Sequence, residues 1–412
     1  MNIPTGPYAA LKLPDFRLFV STRFCITLAI QIQSVVVAWQ IYELTNDPLS
    51  LGLIGLAEAI PSISVSLYAG HIADVVQRKK IILICVSTLL LCSVALLFFT
   101  LDAGQPLLKF GVVPIYSVIF VSGIARGFLT PAFFAYMPQL IPRELYTNAI
   151  SWNSTLWETA AIGGPAIGGF IYAFFGVKAS YAADVLLMMG GLSLAIGINN
   201  KPLPPESEEQ GIVEKIKAGL RFVFNNQIIL GAISLDLFAV LFGGAVALLP
   251  IFAKEVLDAG PEALGLLRAS PSVGALMMAF YITHHPIRKN MGMIMLYCVA
   301  GFGVCMILFA LSTNFWISLT LLMLSGMFDC VSVIIRGTLL QTLTPENMKG
   351  RVSAVNHIFI GSSNEIGMFE SGLAARLLGV VPSVIFGGCM TLISVAVVGG
   401  FAKSLRKLQR LQ

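Results

Sequence analysis

Several ionisable residues of this 412-residue chain lie inside long apolar runs: Glu58, Arg126, Glu158, Asp236, Arg268, Asp329 and Glu365. A charge at the centre of a bilayer costs from a few to more than ten kcal/mol, roughly, so residues kept there are candidates for handling ions or cargo. A carboxyl in a low-dielectric setting holds its proton to higher pH and can exchange it near neutrality. Asp236, Glu58, Glu158 and Glu365 are therefore the candidate proton carriers. For each, the alternative is a neutral acid that only hydrogen-bonds two helices. Arg126 and Asp329 stand 203 residues apart, a spacing that recurs below. They are expected to line a central cavity, with a structural ion pair or separate polar contacts as the alternative. Trp157 and Phe133, with Trp152, offer aromatic faces to a ligand or serve packing and interface anchoring. Arg23 and Arg336 lie nearer the ends of their runs and are expected to snorkel.

The elements that position these residues must be membrane spans. The composition is 57% hydrophobic and 11% charged, against roughly 45–50% and about 25% for soluble domains. That excludes an ordinary soluble enzyme and a disordered chain. A crossing helix needs about 20 apolar residues. Twelve runs qualify, at 16–44, 49–71, 79–101, 112–137, 147–175, 179–199, 227–253, 262–283, 291–311, 314–341, 351–378 and 381–402. The first reads as a span and not as a cleaved signal. Between the two sets of six lies 201–226, opening with Lys201-Pro202-Leu203-Pro204-Pro205 and then Glu206, Glu208 and Glu209, a solvated linker. Within it Ile212, Ile216, Leu220 and Val223 share one helical face, which predicts an amphipathic helix on the membrane surface. The expected organisation is an N-terminal half 1–200, a linker 201–226 and a C-terminal half 227–412.

Basic residues orient the spans. With both termini and the linker in the cytoplasm, Lys12, Arg17, Arg78, Lys79, Lys80, Arg143 and most other basic residues fall on the cytoplasmic side. Only Lys109, Lys178, Lys254 and Arg376 fall opposite. The bias fits the positive-inside rule. The basic residues form no stripe, so nucleic acid is not an expected partner. The seven cysteines sit in apolar runs and read as small fillers. The four histidines lack metal-ligand spacing, so no metal is expected. Without a Gly-x-x-x-x-Gly-Lys-Ser/Thr loop, no nucleotide site is expected, and no cofactor.

The halves repeat. Ser122-Gly123 matches Ser325-Gly326, Pro142 matches Pro345 and Asn153 matches Asn356, all 203 residues apart. Nearer the start of each half, Pro48-Leu49-Ser50-Leu51-Gly52-Leu53 matches Pro261-Glu262-Ala263-Leu264-Gly265-Leu266 at 213. Parallel repeats are a transporter architecture, with the cargo site near the midplane.

Two motifs are more specific. The loop Gly70-His71-Ile72-Ala73-Asp74-Val75-Val76-Gln77-Arg78-Lys79 resembles the Gly-x-x-x-Asp-x-x-x-Arg-Lys signature of the major facilitator superfamily. Gly70 permits close helix approach, Asp74 can meet helix N-termini or basic side chains, and Arg78 and Lys79 face the anionic side. Together they read as a conformational latch, or as a plain topology anchor. The fifth run carries Gly163-Gly164-Pro165-Ala166-Ile167-Gly168-Gly169, which resembles that superfamily's exporter signature, Gly-Pro-x-x-Gly-Gly. Gly164, Pro165, Gly168 and Gly169 would bend and tighten this helix, to close a path or simply to pack. With Arg126-Gly127, Arg336-Gly337 and Asn364-Glu365-Ile366-Gly367, the chain resembles the branch that holds enterobactin exporters and macrolide efflux pumps.

The resemblance implies the major facilitator fold: an all-α membrane protein of twelve transmembrane helices in two pseudo-symmetric six-helix halves. It implies a secondary transporter in the bacterial inner membrane that exports an amphipathic small molecule, a siderophore or drug, against protons. A monomer within the lipid bilayer is expected. An importer, or a non-transporting sensor or scaffold, are the alternatives; an enzyme would need a catalytic constellation, and none is found.

Overall fold

The computed structural model describes residues 6–101, 106–202, 212–285, 287, 289–345, 348–402 and 406, and their regular structure is helical. The long helices are α1 (Pro14–Thr45), α2 (Pro48–Val75), α3 (Arg78–Thr100), α4 (Val113–Leu140), α5 (Tyr146–Gly197), α6 (Ile212–Asn225), α7 (Gln227–Gly243), α8 (Pro261–His284), α9 (Met291–Leu311), α10 (Phe315–Leu343), α11 (Lys349–Leu378) and α12 (Val380–Phe401). Local chemistry sets their starts. Asn226 accepts from the backbone N–H of Ile228 and Ile229, at 3.1 and 3.2 Å, and Asn314 does the same for Trp316 and Ile317. These side chains cap α7 and α10. Pro48 and Pro261 open α2 and α8, where a missing N–H costs nothing.

Ten helices among the described residues are long and apolar enough to cross a membrane. One of them, Asn148–Gly197, has 50 residues, room for two crossings of about 20. It breaks at Gly176, whose φ of 78° suits glycine alone. The thirty-residue α11 is long enough for a crossing too. It lies outside the ten, and it carries Glu365, Glu370 and Arg376. Counted this way, the twelve expected crossings are present. The seventh run is not one straight helix. After α7 the backbone tightens into a 3₁₀ turn at Ala245–Leu248 and widens into a π turn at Phe252–Val256. The freed Gly244 carbonyl accepts from Ser371 Oγ at 3.0 Å, as irregular backbone among apolar helices requires.

Over its described part, α6 keeps Lys217 and Arg221 exposed while Val223 is buried. Val223 packs with Ile229, Ile233, Val352 and Val355, with Leu220 beside them. At Leu220 and Val223 this apolar face is therefore covered by α7 and α11 and not by lipid, while the side chains of Ile212 and Ile216 lie outside the described residues. The acidic part of the linker lies outside the described residues.

The chain forms two compact units, residues 1–45 with 57–208 and residues 46–56 with 209–412. The core of the first joins α1, α3, α4 and α5 through Phe16, Phe19, Ile82, Val86, Phe133, Tyr136 and Met188. The core of the second joins α7, α9 and α10 through Leu235, Met295, Val299, Ile335 and Leu339.

The repeat is exact in backbone register at two helix crossings. In the first unit a methyl group on Gly123 of α4 would lie 2.8 Å from the Glu58 carbonyl oxygen of α2. In the second, one on Gly326 of α10 would fall against the Pro271 carbonyl of α8. A methyl group on Gly164 of α5 would lie 3.3 Å from the Leu28 carbonyl oxygen, and one on Gly367 of α11 2.9 Å from that of Leu241. The glycines are 203 residues apart in both pairs and their partners 213 apart. Both spacings read from the sequence thus reappear as contacts.

Gly326→Ala puts a methyl group into a backbone carbonyl, and such overpacking costs about 1–3 kcal/mol or more. Gly337, on the same helix, has nothing within 4 Å; Gly337→Ala should hold or raise stability, by up to about 1 kcal/mol from helix propensity. Thermal unfolding of the two purified variants should show Gly326→Ala clearly lower in Tm than wild type and Gly337→Ala not.

Candidate functional site

The first unit holds an ion pair between Arg126 and Glu58. Its position follows from the glycine crossing. Gly123 lets α4 touch the backbone of α2 at Glu58, and Arg126, one turn further along, reaches back to that residue's carboxylate. The two side chains keep 31% and 23% of their exposure, so the pair remains open to an approaching group. Arg126 and Glu58, assigned separately from sequence to a cavity and to proton carriage, are one charged unit. The repeat does not copy it. The residue matching Arg126 is Asp329, but the residue matching Glu58 is Pro271. Asp329 makes no ion pair among the described residues.

The second unit holds a different pair, Arg336 of α10 with Asp236 of α7, at 5% and 6% exposure. Arg336 thus turns into the protein and does not snorkel as its place near the run's end suggests. The matching positions of the first unit carry other chemistry. Arg23 matches Asp236 at 213, and Phe133 matches Arg336 at 203. The Arg23 guanidinium lies 5.9 Å from the centre of the Phe133 ring and donates to Asn153 Oδ1 at 2.9 Å. One contact locus therefore holds a cation over an aromatic ring in one unit and a buried salt bridge in the other. Asn356, matching Asn153, leaves its Oδ1 buried without a hydrogen-bond partner, as does Ser332 Oγ one turn before Arg336.

The remaining candidates are dispersed. Phe133 belongs to the core of the first unit, 6% exposed and edge-on to Phe19 at 5.5 Å, so it acts there as a packing residue. Trp157 is exposed and Glu158 half-buried on α5. Glu365 is half-buried on α11, and its backbone carbonyl lies against Gly55 of α2. Of the latch, Gly70 and Asp74 fall in the last turns of α2, and their side chains lie outside the described residues. Arg78 donates to the Ala135 carbonyl at 3.2 Å and Lys79 to the Ile196 carbonyl at 2.8 Å. Lys79 thus meets the C-terminal turn of α5, where cations are favoured. In the exporter motif, Gly164 and Gly168 let α5 lie directly on α1. Methyl groups there would stand 2.5 Å from Gln31 Cβ and 3.1 Å from Ile32 Cα.

Two further acids matter. Asp15 pairs with Lys201 at 2.8 Å and accepts from Asn199, tying the start of α1 to the end of α5. Asp184 is fully buried on α5. The signal that marks Glu58 and Asp236, an acid inside an apolar run, is present at Asp184 as well. It passes unnoticed in sequence because no motif or repeat partner accompanies it.

Over residues 5–410 the chain matches the family model described as transmembrane secretion effector, MFS_3. It is 27% identical over 395 residues to the enterobactin exporter EntS of Salmonella typhi, covering 94% of this chain and 89% of that protein. Two solved structures share the fold. A POT family transporter in complex with 5-aminolevulinic acid has a TM-score of 0.74 at 12% identity, covering 95% of this chain and 96% of its own. A D-xylose-proton symporter has a TM-score of 0.71 at 14% identity, covering 94% and 97%.

The two ion pairs should respond differently to loss of a partner. Asp236→Asn strands a buried guanidinium, and breaking such a pair costs about 3–5 kcal/mol. Asp236→Asn/Arg336→Gln removes both charges and should recover much of that loss. Glu58→Gln, in the more exposed pair, should cost less than Asp236→Asn. Thermal unfolding of the single and double variants, arranged as a double-mutant cycle, checks the ranking.

Proposed function

The chain belongs to the transmembrane secretion effector family of major facilitator transporters, and from that premise we propose that it exports an amphipathic small molecule in exchange for protons. It is a multi-pass membrane transporter and not an enzyme. The cargo class we assign is a siderophore of the enterobactin kind, on the name of the relative that matches 94% of the chain. Drug efflux is the second reading, and uptake is disfavoured by the Gly164-Pro165 motif. In this reading the protein works as a monomer in the bacterial inner membrane, with both termini cytoplasmic. The protein opens alternately to either side of the membrane.

The observation that supports the coupling is the partly exposed pair Glu58–Arg126. An ionised Glu58 accepts hydrogen bonds from donor groups of the cargo, and Arg126 holds an acidic or carbonyl oxygen beside it. A proton on Glu58 removes the charge, weakens the hold on the donor groups and loosens Arg126. Proton and cargo then oppose one another at one carboxylate, and that opposition is the linkage an antiporter needs. Asp236–Arg336 is more enclosed, so it serves as the second titrating pair, one that responds when α7 and α10 part. Asp329 and Trp157 supply further cavity contacts. Glu158 and Glu365 are reserve carriers, and Gly70, Asp74, Arg78 and Lys79 hold one conformation.

The test is uptake of labelled enterobactin into everted membrane vesicles with an imposed inside-acid gradient. Wild type should accumulate it, and Glu58→Gln should lose gradient-driven accumulation by at least about tenfold, or about 1.4 kcal/mol, and bind enterobactin more weakly at every pH. Accumulation of macrolides or lipophilic cations in place of enterobactin would move the assignment to drug efflux. Full coupling in Glu58→Gln would remove Glu58 from the mechanism.

A further inference from the structure

Asp184 is a fully buried carboxyl that no part of the proposed cycle uses. Its Oδ2 accepts from Gln33 Nε2 of α1 at 3.1 Å, and the hydroxyl of Ser93 on α3, which accepts from the same Gln33 amide at 3.5 Å, stands beside the carboxyl as a second neutral partner. Oδ1 has no hydrogen-bond partner. An ionised carboxylate has about four lone-pair sites to fill, and here two neutral partners serve it. Among the described residues no cation pairs with Asp184. The titratable groups that face it are Cys92 of α3 and Tyr181 of its own helix, neither of them cationic; α1 contributes the uncharged Gln33. A charge so placed is strongly disfavoured, and the neutral acid is the form that fits.

A line of polar side chains runs from this acid to the surface along α1 and α5. One turn before Asp184, Tyr181 donates to Gln40 Oε1 of α1 at 2.6 Å, and both are buried. One turn beyond Gln40, the exposed Glu43 accepts from Tyr172 at 2.6 Å and from Trp39 Nε1 at 2.7 Å. Gln33, Gln40 and Glu43 lie on one face of α1, and Tyr172, Tyr181 and Asp184 answer from α5. Buried polar side chains are expensive among apolar helices unless satisfied, and a graded row of them ending on an exposed carboxylate is more than packing needs.

We propose that Asp184, with Gln33 and Ser93, is a proton-binding site inside the first unit, reached from Glu43 at the end of α1 through Tyr172, Tyr181 and Gln40. Proton binding converts the carboxylate to the acid, with no other bond made or broken. The partners Gln33 and Ser93 belong to α1 and α3, so the charge on Asp184 sets how firmly α5 is held to both. The site does not depend on what the protein carries.

The experiment is infrared difference spectroscopy of the full-length purified protein between acid and alkaline pH. Wild type should show a carboxylic-acid C=O band that changes with pH. That band should be lost in Asp184→Asn and moved in Asp184→Glu, which keeps the acid if the Asn variant fails to fold. On transfer to D₂O, Tyr181→Phe should slow the band's deuterium shift at least tenfold. An unchanged band in Asp184→Asn, or an unmoved one in Asp184→Glu, overturns the site. An unchanged exchange rate in Tyr181→Phe overturns the route. No cargo is needed, so these outcomes stand apart from the vesicle experiment. If export fails while the Asp184 band behaves as described, the export reading falls and the site remains.

Discussion

The interior of a bundle of apolar helices offers charges no water, and the rest of this molecule is arranged around that constraint. A bare charge is too costly there, so an ionisable side chain must find an opposite charge, find polar and aromatic partners as Arg23 does, or give up its own charge. Arg126 and Arg336 each find a carboxylate. Asp184 finds only neutral partners. At the ion pairs and at Asp184 alike, a proton is consequential. Adding one to Glu58 or Asp236 strands an arginine, whereas removing one from Asp184 creates an unpaired anion. In the proposed cycle these helix contacts therefore depend on where protons reside.

The repeat explains how one fold supplies both a rigid frame and distinct chemistry. At Gly123 and Gly326, and at Gly164 and Gly367, matching glycines meet matching carbonyls. Side chains at those crossings have no freedom to grow, so the frame is preserved in both units. One turn away the restriction lifts, and the units differ. Glu58–Arg126 has no counterpart in the second unit, where Pro271 stands at the matching place. Asp236–Arg336 stands where the first unit has Arg23 over Phe133.

Much of this is legible in the sequence. Apolar runs about as long as a bilayer is thick locate the crossings, and Gly176, between the fifth and sixth runs, marks the break within α5. The twin spacings of 203 and 213 foretell the glycine crossings, because close backbone approach leaves few residue choices. What stays hidden is pairing. The sequence marks Arg126, Glu58 and Asp236 as out of place in an apolar run. Which charge meets which depends on the crossing of helices some 70 to 100 residues apart in the chain. Arg336 misleads for the same reason: its place in the run suggests snorkelling, and only the crossing with α7 turns it inward. The amphipathic face of α6 has the right period, but period cannot say whether lipid or α7 and α11 will cover it.

The central claim, that protons oppose the cargo at these acids, is tested most directly by reading both movements at once. Proteoliposomes with a trapped pH indicator, reconstituted with the cytoplasmic face outward, are given enterobactin outside with no imposed gradient. The account predicts that the lumen turns alkaline as enterobactin enters, and that Glu58→Gln abolishes the pH change. Accumulation of enterobactin by the wild-type protein with the luminal pH unmoved would contradict it.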